Sequence, residues 1–317
     1  LTFSACGQPD AELGSPVPQT GADPSGRILF VAEGDVRLWS DGDVEQVTEN
    51  VKALSPTWAP DGQRFAFVQL ADGFSDLVVA NLDGDTLRQV TFNEPADEPH
   101  SEDWAYNAAW AFDPIWSPAG EQIIFVSDKN GFDALSDPLY LWYSETWEAE
   151  PYPLPAAVEL DTFQENPSLS PDGDSVAFVA RTQETGTLRN TQIWTLDLNT
   201  AETEVLVEHP DGAYDPAWSP DGSSLAYIQR DGTRNDVWIM PIAGGVPYRL
   251  TDIGTCVSPV WSPDGRFVAF FRENEGAFEA WYVEVEADAS DRLIASEPRR
   301  LFAADGISTK SRMSWID

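Results

Sequence analysis

The hydrophobic residues of this chain fall in short runs bounded by Gly, Asp and Pro, with almost no helical periodicity. Five of these runs occur in the same sequence context, since each begins seven residues after the first residue of a repeated turn: residues 65–68, 123–126, 176–179, 225–228 and 268–271. Short runs rich in β-branched and aromatic residues between turn residues are typical of buried β-strands. The pattern therefore predicts an all-β protein.

The repeated turn reads Trp-Ser-Pro-Asp-Gly at residues 218–222 and 261–265, with close variants at 58–62, 116–120 and 169–173. A truncated copy, Met-Ser-Trp-Ile-Asp, occupies residues 313–317. Pro presets the backbone for a tight turn, Asp bonds its own backbone, and Gly accepts a positive φ. Successive copies lie 43 to 58 residues apart, a spacing typical of propeller blades.

Each repeat unit predicts a strand before the turn, a strand after it, a second turn such as Asp72-Gly73, and two further strands. Four antiparallel strands make one propeller blade. Residues 27–48 supply a second, third and fourth strand, and residues 312–316 supply the missing first strand. We therefore predict a six-bladed β-propeller of four-stranded antiparallel blades, closed by one C-terminal and three N-terminal strands, which leaves only short sheet edges.

The repeat resembles the propeller of TolB-type proteins over residues 27–317, since strand one of that repeat also ends in Trp-Ser-Pro-Asp-Gly. The same repeat builds the propeller of prolyl-oligopeptidase-like enzymes and of many bacterial envelope proteins. TolB itself carries an α/β domain before its propeller, and the oligopeptidases carry an α/β-hydrolase domain. Here we expect the propeller alone at residues 26–317, preceded by a flexible tail or tether at residues 1–25.

The chain is strongly acidic, with 54 Asp and Glu against 18 Lys and Arg and a net charge of −36. Nucleic-acid binding needs a basic surface, so this class of function is excluded. The acidity favours solubility; adaptation to high salt and a cation-attracting face are the alternatives. No run of 18 apolar residues predicts a membrane span.

Cys6 follows Leu-Thr-Phe-Ser-Ala and precedes a stretch rich in Pro, Gly, Asp and Gln that ends at Gly26. Small residues before a Cys resemble a bacterial lipoprotein processing site, at which Cys6 would become the lipidated N-terminus and the stretch a tether. A plain secreted tail and a chance Cys are the alternatives. We predict an extracytoplasmic protein, in the periplasm or at the cell surface, whose contact with the membrane would be limited to this lipid anchor.

In the repeat that this sequence resembles, the first strand of each blade is innermost, so we expect the starts of the six first strands to converge on one mouth of the central channel. The aligned residues at this depth are Ser55, Asp113, Asn166, Asp215, Ser258 and Arg312. All but Arg312 precede a Pro, which predicts an extended backbone there. Convergent polar groups at a concave centre indicate a binding site. Ca²⁺ could draw oxygen ligands from Asp113, Asn166, Asp215 and Glu165, but Arg312 favours an anionic or mixed ligand; otherwise we expect no cofactor.

The longest loop, residues 93–112, mixes acidic groups with Trp104, Tyr106 and Trp110. Loops of this length are usually functional or disordered. The mixture of acidic and aromatic residues predicts a partner-binding surface at these aromatics. The alternative is that the loop folds down and covers blade edges.

Motifs of enzymes are absent from the sequence. It has no Gly-x-Ser-x-Gly elbow, and its two histidines, His100 and His209, cannot build a zinc site. We predict a non-enzymatic, monomeric binder of a protein, peptide or glycan at the channel face. A carboxylate-dependent hydrolase or lyase using Asp113 and Asp215 is the alternative, and a passive structural module is a third interpretation.

Overall fold

The computed structural model describes residues 23–129, 140–144, 147, 149–155, 157, 162–182, 190–288 and 292–317. Its strands form six antiparallel sheets arranged as propeller blades, which confirms the predicted fold class.

The first three blades, each given from the innermost strand outward, contain the following strands. Blade 1 has β25 (Ser314–Ile316), β1 (Arg27–Ala32), β2 (Asp35–Ser40) and β3 (Asp43–Gln46). Blade 2 has β4 (Ala53–Trp58), β5 (Arg64–Leu70), β6 (Ser75–Asn81) and β7 (Thr86–Gln89). Blade 3 has β8 (Ala111–Trp116), β9 (Ile123–Ser127), β10 (Tyr140–Ser144) and β11 (Tyr152–Pro153). A short helix, α1 (Glu102–Asn107), lies between blades 2 and 3 in the chain.

The last three blades follow in the same order. Blade 4 has β12 (Phe163–Leu169), β13 (Ser175–Thr182), β14 (Asn190–Asp197) and β15 (Thr203–Val207). Blade 5 has β16 (Ala213–Trp218), β17 (Ser224–Asp231), β18 (Arg234–Pro241) and β19 (Tyr248–Arg249). Blade 6 has β20 (Cys256–Trp261), β21 (Phe267–Asn274) and β22 (Ala277–Ala287), and its outer edge is split into β23 (Leu293–Ala295) and β24 (Arg299–Ala303).

Blade 1 closes the ring as predicted, with one C-terminal and three N-terminal strands. Leu29 pairs with Ser314 and Arg27 with Ile316 in antiparallel register. Arg27 also donates to the carbonyl oxygen of Gly62 at 2.8 Å and stacks on Trp58, so it joins blade 1 to blade 2. The closure therefore adds polar and aromatic contacts to the strand pairing.

The hydrophobic core consists of six layers, one between each pair of neighbouring blades. The second strand of each blade is buried on both faces, and its side chains alternate between two layers: Phe65 packs towards blade 1 and Ala66 towards blade 3. Such double burial explains why these strands appear in the sequence as continuous apolar runs.

The repeated Pro-Asp-Gly turn also connects blades. Gly173 has a φ of 82°, and a Cβ added there would lie 3.2 Å from the Cδ atom of Pro118 in the preceding blade. Glycine is therefore required both by the backbone conformation and by the close approach of the neighbouring turn.

A second recurring contact fixes the outer connections, and the sequence analysis missed it. Asp76 at the start of β6 accepts hydrogen bonds from the Thr91 hydroxyl at 3.0 Å and from the Asn93 backbone at 2.9 Å. The same Asp–Thr pairing occurs in blades 1 and 5. Because each pairing links the third strand to the chain leaving the fourth, it holds the loop that leads to the next inner strand.

Candidate functional site: the channel mouth

Five of the predicted mouth residues share an uncommon backbone conformation. Ser55, Asp113, Asn166, Asp215 and Ser258 have φ values from 46° to 52°. The pairing of the innermost strand with the second strand shifts register at this point in each of the five blades. The extended backbone expected before proline is therefore wrong, because a β-bulge turns each residue into the left-handed region.

The bulges free backbone N–H groups for hydrogen bonds across the ring, and these bonds form a chain around the channel that we call the belt. The Ser55 N–H donates to Oγ of Ser311 at 2.8 Å, and its hydroxyl donates to Oδ1 of Asp113 at 2.7 Å. The Asn166 N–H donates to Oδ2 of Asp113 at 3.3 Å, and its side chain donates to Oδ1 of Asp215 at 3.0 Å. The Ser258 N–H donates to Oδ2 of Asp215 at 3.0 Å. The belt thus connects all six blades.

Arg312 crosses the channel instead of joining the belt. Its two terminal nitrogens each donate at 2.6 Å, one to the carbonyl oxygen of Pro167 in blade 4 and the other to that of Pro216 in blade 5. The same side chain lines two cavities, one of about 430 Å³ at the predicted mouth and one of about 320 Å³ near the Pro-Asp-Gly turns. Arg312 therefore lies between the two halves of the channel.

The larger of these two, which we call the mouth cavity, brings together five of the six predicted residues; Ser55 is buried in the belt and does not line it. The charged side chains of its lining balance, with three acidic and three basic residues: Asp113, Glu165, Asp215, Arg181, Lys310 and Arg312. Glu165 forms an ion pair with Arg181.

Lys310 differs from Glu165 and Arg181, which pair with each other. It is exposed at the mouth cavity and, within the described part of the chain, makes no hydrogen bond or ion pair. It is also one of only three lysines in the sequence.

Arg181 was missed by the sequence analysis. It lies near the end of β13, where it pairs with Phe163 of β12. Phe163 precedes Glu165 by two residues on β12, so the side chains of Arg181 and Glu165 lie close together. Extending the alignment from the innermost strands to their partners would have placed Arg181 beside the mouth.

Burial raises the pKa of two carboxyl groups in the mouth cavity. For Asp215, desolvation is the main cause; the Arg312 guanidinium opposes it, and Asp113 adds to it. For Glu165, desolvation again raises the pKa, Arg181 opposes it, and the charges of Asp113 and Asp215 raise it further. Both carboxyl groups therefore take up protons more readily than exposed ones do.

The hydrogen bonds of the belt account for the carboxylate oxygens of Asp113 and Asp215 without a metal. Within the described ranges, no three His, Cys, Asp or Glu residues come together in a group that could hold an ion. The Ca²⁺ suggestion stays a prediction.

The aromatic loop packs on the turn between β5 and β6 through one of its three predicted residues. Trp104 in α1 is only 8% exposed, contacts Phe74 and His100, and lies over Gly73. Trp110 is half-buried and stacks in parallel on Phe112 with ring centroids 6.0 Å apart. Because Phe112 lines the mouth cavity, the Trp110 side chain supports its wall. The side chain of Tyr106 lies outside the described residues.

The N-terminal segment approaches the propeller at the end opposite the mouth cavity. Trp315 donates to the carbonyl oxygen of Ser25 at 3.0 Å, and Asp23 forms an ion pair with Arg299 at 3.3 Å. Cys6 lies outside the described residues, so its lipidation stays a prediction. No helix in the described part of the chain is long and apolar enough to cross a membrane.

Six blades of this repeat, closed around a polar channel, define a β-propeller with a candidate binding site at one mouth. The TolB beta propeller domain family model matches residues 156–306, a little under half of the chain. The chain has the TolB-like β-propeller fold.

Two solved structures show the same fold. TolB from Acinetobacter baumannii matches with a TM-score of 0.65 and 19% identity, over 92% of this chain and 66% of that chain. A chain of a nidogen/laminin complex matches with a TM-score of 0.58 and 10% identity, over 92% of this chain and 98% of that chain. At these identities the likeness shows the fold alone.

One curated relative is the uncharacterized peptidase YuxL of Bacillus subtilis (strain 168). It is 28% identical over 132 residues, which are 42% of this chain and 18% of that protein. The match thus covers less than a fifth of that relative.

Proposed function

We propose that this protein is an extracytoplasmic binding protein whose mouth cavity receives a polar segment of a partner protein. The observation that carries the proposal is a cavity of about 430 Å³ with three acidic and three basic side chains, of which Lys310 has no partner within the described residues. Its volume falls within the usual range for ligand pockets. A balanced set of charges suits a peptide, whose backbone and side chains offer donors and acceptors together.

The lining favours a peptide over a glycan. Phe112 is the one aromatic side chain among the residues that line the described cavity. Trp104, which could otherwise stack on a sugar ring, is buried against Gly73. Because the described lining of the mouth cavity offers no larger aromatic platform, recognition there depends on charged and hydrogen-bonding groups.

The belt also favours binding over hydrolysis or elimination. Both oxygens of Asp113 and both oxygens of Asp215 accept hydrogen bonds from neighbouring blades. A general base needs an oxygen within reach of a substrate proton. The two carboxylates are instead used to join blades, which supports a structural role for this pair.

The experiment is selection of binding peptides from a random library, followed by fluorescence anisotropy on the selected sequences. We expect Lys310→Glu to weaken binding about tenfold or more, since a charge reversal beside a ligand costs at least about 1.4 kcal/mol. Lys52→Glu is the control, because Lys52 is an exposed lysine that pairs with Asp72 and does not line the mouth cavity.

Equal binding by Lys310→Glu and the unaltered protein would overturn the assignment to the mouth cavity. Failure to select any peptide, with specific binding on a glycan array run in parallel, would replace the peptide with a carbohydrate ligand.

A further inference from the structure

A third cavity, separate from the channel, lies between the outer parts of blades 5 and 6. Its volume is about 500 Å³, larger than the mouth cavity. One wall consists of residues 249–253, which leave blade 5, and the other of residues 292–298 at the outer edge of blade 6. We call it the outer cavity.

The outer cavity arises where blade 6 departs from the repeat. The outer edge of this blade is divided, because β24 pairs with Glu279 to Tyr282 of β22 whereas β23 pairs with Val285 to Ala287. The other blades each have a single outermost strand in the described structure. The segment that joins β23 to β24 contributes Ser296, Glu297 and Pro298 to the cavity wall.

Three of the chain's few cationic side chains line this one cavity: Arg249, Arg272 and Arg292. The carboxylates in the lining are Asp252 and Glu297. Asp252 is shared between two guanidinium groups, that of Arg249 at 3.1 Å and that of Arg234 at 2.6 Å. The lining therefore carries one more positive than negative charge, in a protein whose net charge is −36.

Arg272 gives the sharpest indication of a ligand. Its guanidinium stacks on Trp281 at 4.6 Å, and within the described residues it makes no hydrogen bond and no ion pair. Glu279, the carboxylate directly across the strand pair, bonds to Arg300, Asn274 and Trp281 instead. Half-buried cations normally have a partner, and this sequence has three carboxylates for every cation.

We propose that the outer cavity binds a small anion that carries carboxylate or phosphate groups. The planar guanidinium fork matches the oxygens of both groups and binds them through paired hydrogen bonds. Stacking on Trp281 fixes the plane of the Arg272 guanidinium, and stacking on Tyr248 does the same for Arg292 at 4.5 Å. Fixed guanidinium groups lose little entropy when an anion binds.

The test compares thermal unfolding of the full chain in citrate, in pyrophosphate and in NaCl of equal ionic strength. The NaCl arm removes the general effect of salt on an acidic protein. We expect citrate or pyrophosphate to raise Tm by about 4 °C beyond NaCl at a hundredfold excess over Kd. A rise with citrate alone identifies a carboxylate ligand, and a rise with pyrophosphate alone identifies a phosphate ligand.

Arg272→Gln should abolish this extra rise. The matched control is Arg230→Gln, because Arg230 also stacks on an aromatic ring, that of Tyr214 at 5.3 Å, but lies outside the cavity lining. If Arg272→Gln fails to fold, Arg249→Gln replaces it. No rise beyond NaCl, or an equal rise in the cavity variant and the unaltered protein, would overturn the proposal, and neither result depends on the mouth cavity.

Discussion

Asn166 donates a hydrogen bond from its side-chain Nδ2 atom to Oδ1 of Asp215 over 3.0 Å. The two residues occupy equivalent bulges in neighbouring blades, so one side chain both donates to a half-buried carboxylate and joins blade 4 to blade 5. In a propeller, adjacent blades otherwise meet mainly through apolar side chains, as in the layer that holds Tyr227. The belt adds directional contacts near the axis.

Removing the Asn166 side chain should destabilise the protein. Asn166→Gly keeps the left-handed backbone available, since φ is 51°, but leaves Oδ1 of Asp215 without its donor. We expect a loss of about 1.5–3 kcal/mol in the free energy of unfolding by urea, the usual range for a hydrogen bond to a charged group. Asn50→Gly is the control: Asn50 is exposed, has a φ of 59° and should change stability by less than about 0.5 kcal/mol. Equal effects of the two variants would show that the belt adds nothing.

The stability of the protein should depend on the ionisation of Asp215. Burial raises the pKa of this carboxyl group against the opposing charge of Arg312. The ionised form is therefore unfavourable in the folded state, and its cost appears as the pH rises from the unfolded pKa of about 3.9 to the higher folded pKa. Asp215→Asn removes this cost, so its stability relative to the unaltered protein should improve between pH 4 and pH 7 in urea titrations.

Asp221 provides a control, because its pKa is shifted in the opposite direction from that of Asp215. Hydrogen bonds from the Ser219 hydroxyl, and then from Ser223, lower the pKa of this exposed turn carboxyl group. Such a group stabilises the fold above its unfolded pKa and loses that effect as the pH falls through its folded pKa. Asp221→Asn should thus cost more at pH 7 than at pH 3. A parallel pH dependence for the two variants would contradict the assignment.

Gly73 should be intolerant of any side chain. It has a φ of 94°, and a Cβ added there would lie 2.2 Å from the Trp104 ring. Gly73→Ala should displace Trp104 and loosen residues 93–112, with faster amide hydrogen exchange in that loop. Gly42→Ala controls for the backbone, since Gly42 has a φ of 98° and no atom within 4 Å of the added Cβ. We expect Gly73→Ala to cost about 1–3 kcal/mol more than Gly42→Ala, and similar costs with unchanged exchange would show that Trp104 is not held there.

The Pro-Asp-Gly turns and the divided first blade predict the ring, because turn chemistry and strand period are local properties. The convergence of Asp113, Asn166 and Asp215 follows from that ring by alignment. Their bulged backbone does not, since the residue before a proline normally prefers an extended conformation.

The contact of Trp104 with Gly73 and the Arg-lined outer cavity could not be predicted from the sequence. The Asp72-Gly73 turn is evident in the sequence, but the ring that covers Gly73 comes from a loop about 30 residues further along the chain. Arg249, Arg272 and Arg292 lie on three separate segments and meet only because the outer edge of blade 6 is divided. Contacts of this kind depend on tertiary packing rather than on a local pattern.

Arg312 has two roles that different substitutions separate: it bridges the carbonyl oxygens of Pro167 and Pro216, and its positive charge acts on Asp215. Arg312→Lys retains the positive charge near Asp215, but a single ammonium group lacks the fork that spans the carbonyl oxygens of Pro167 and Pro216. We expect this variant to lose about 1–2 kcal/mol in the free energy of unfolding, with an unchanged dependence on pH.

Arg312→Met removes the charge as well as the bridge. Because the guanidinium is the main influence that opposes the raised pKa of Asp215, its loss should raise that pKa further and extend the cost of ionisation to higher pH. The Met variant should therefore lose stability relative to the Lys variant as the pH rises from 5 to 7, which urea unfolding at the two pH values measures. If Arg312→Lys has the same free energy of unfolding as the unaltered protein, the bridge to the carbonyl oxygens contributes nothing to stability. If the free energies of unfolding of Arg312→Met and Arg312→Lys depend on pH in the same way, the charge of Arg312 does not act on Asp215.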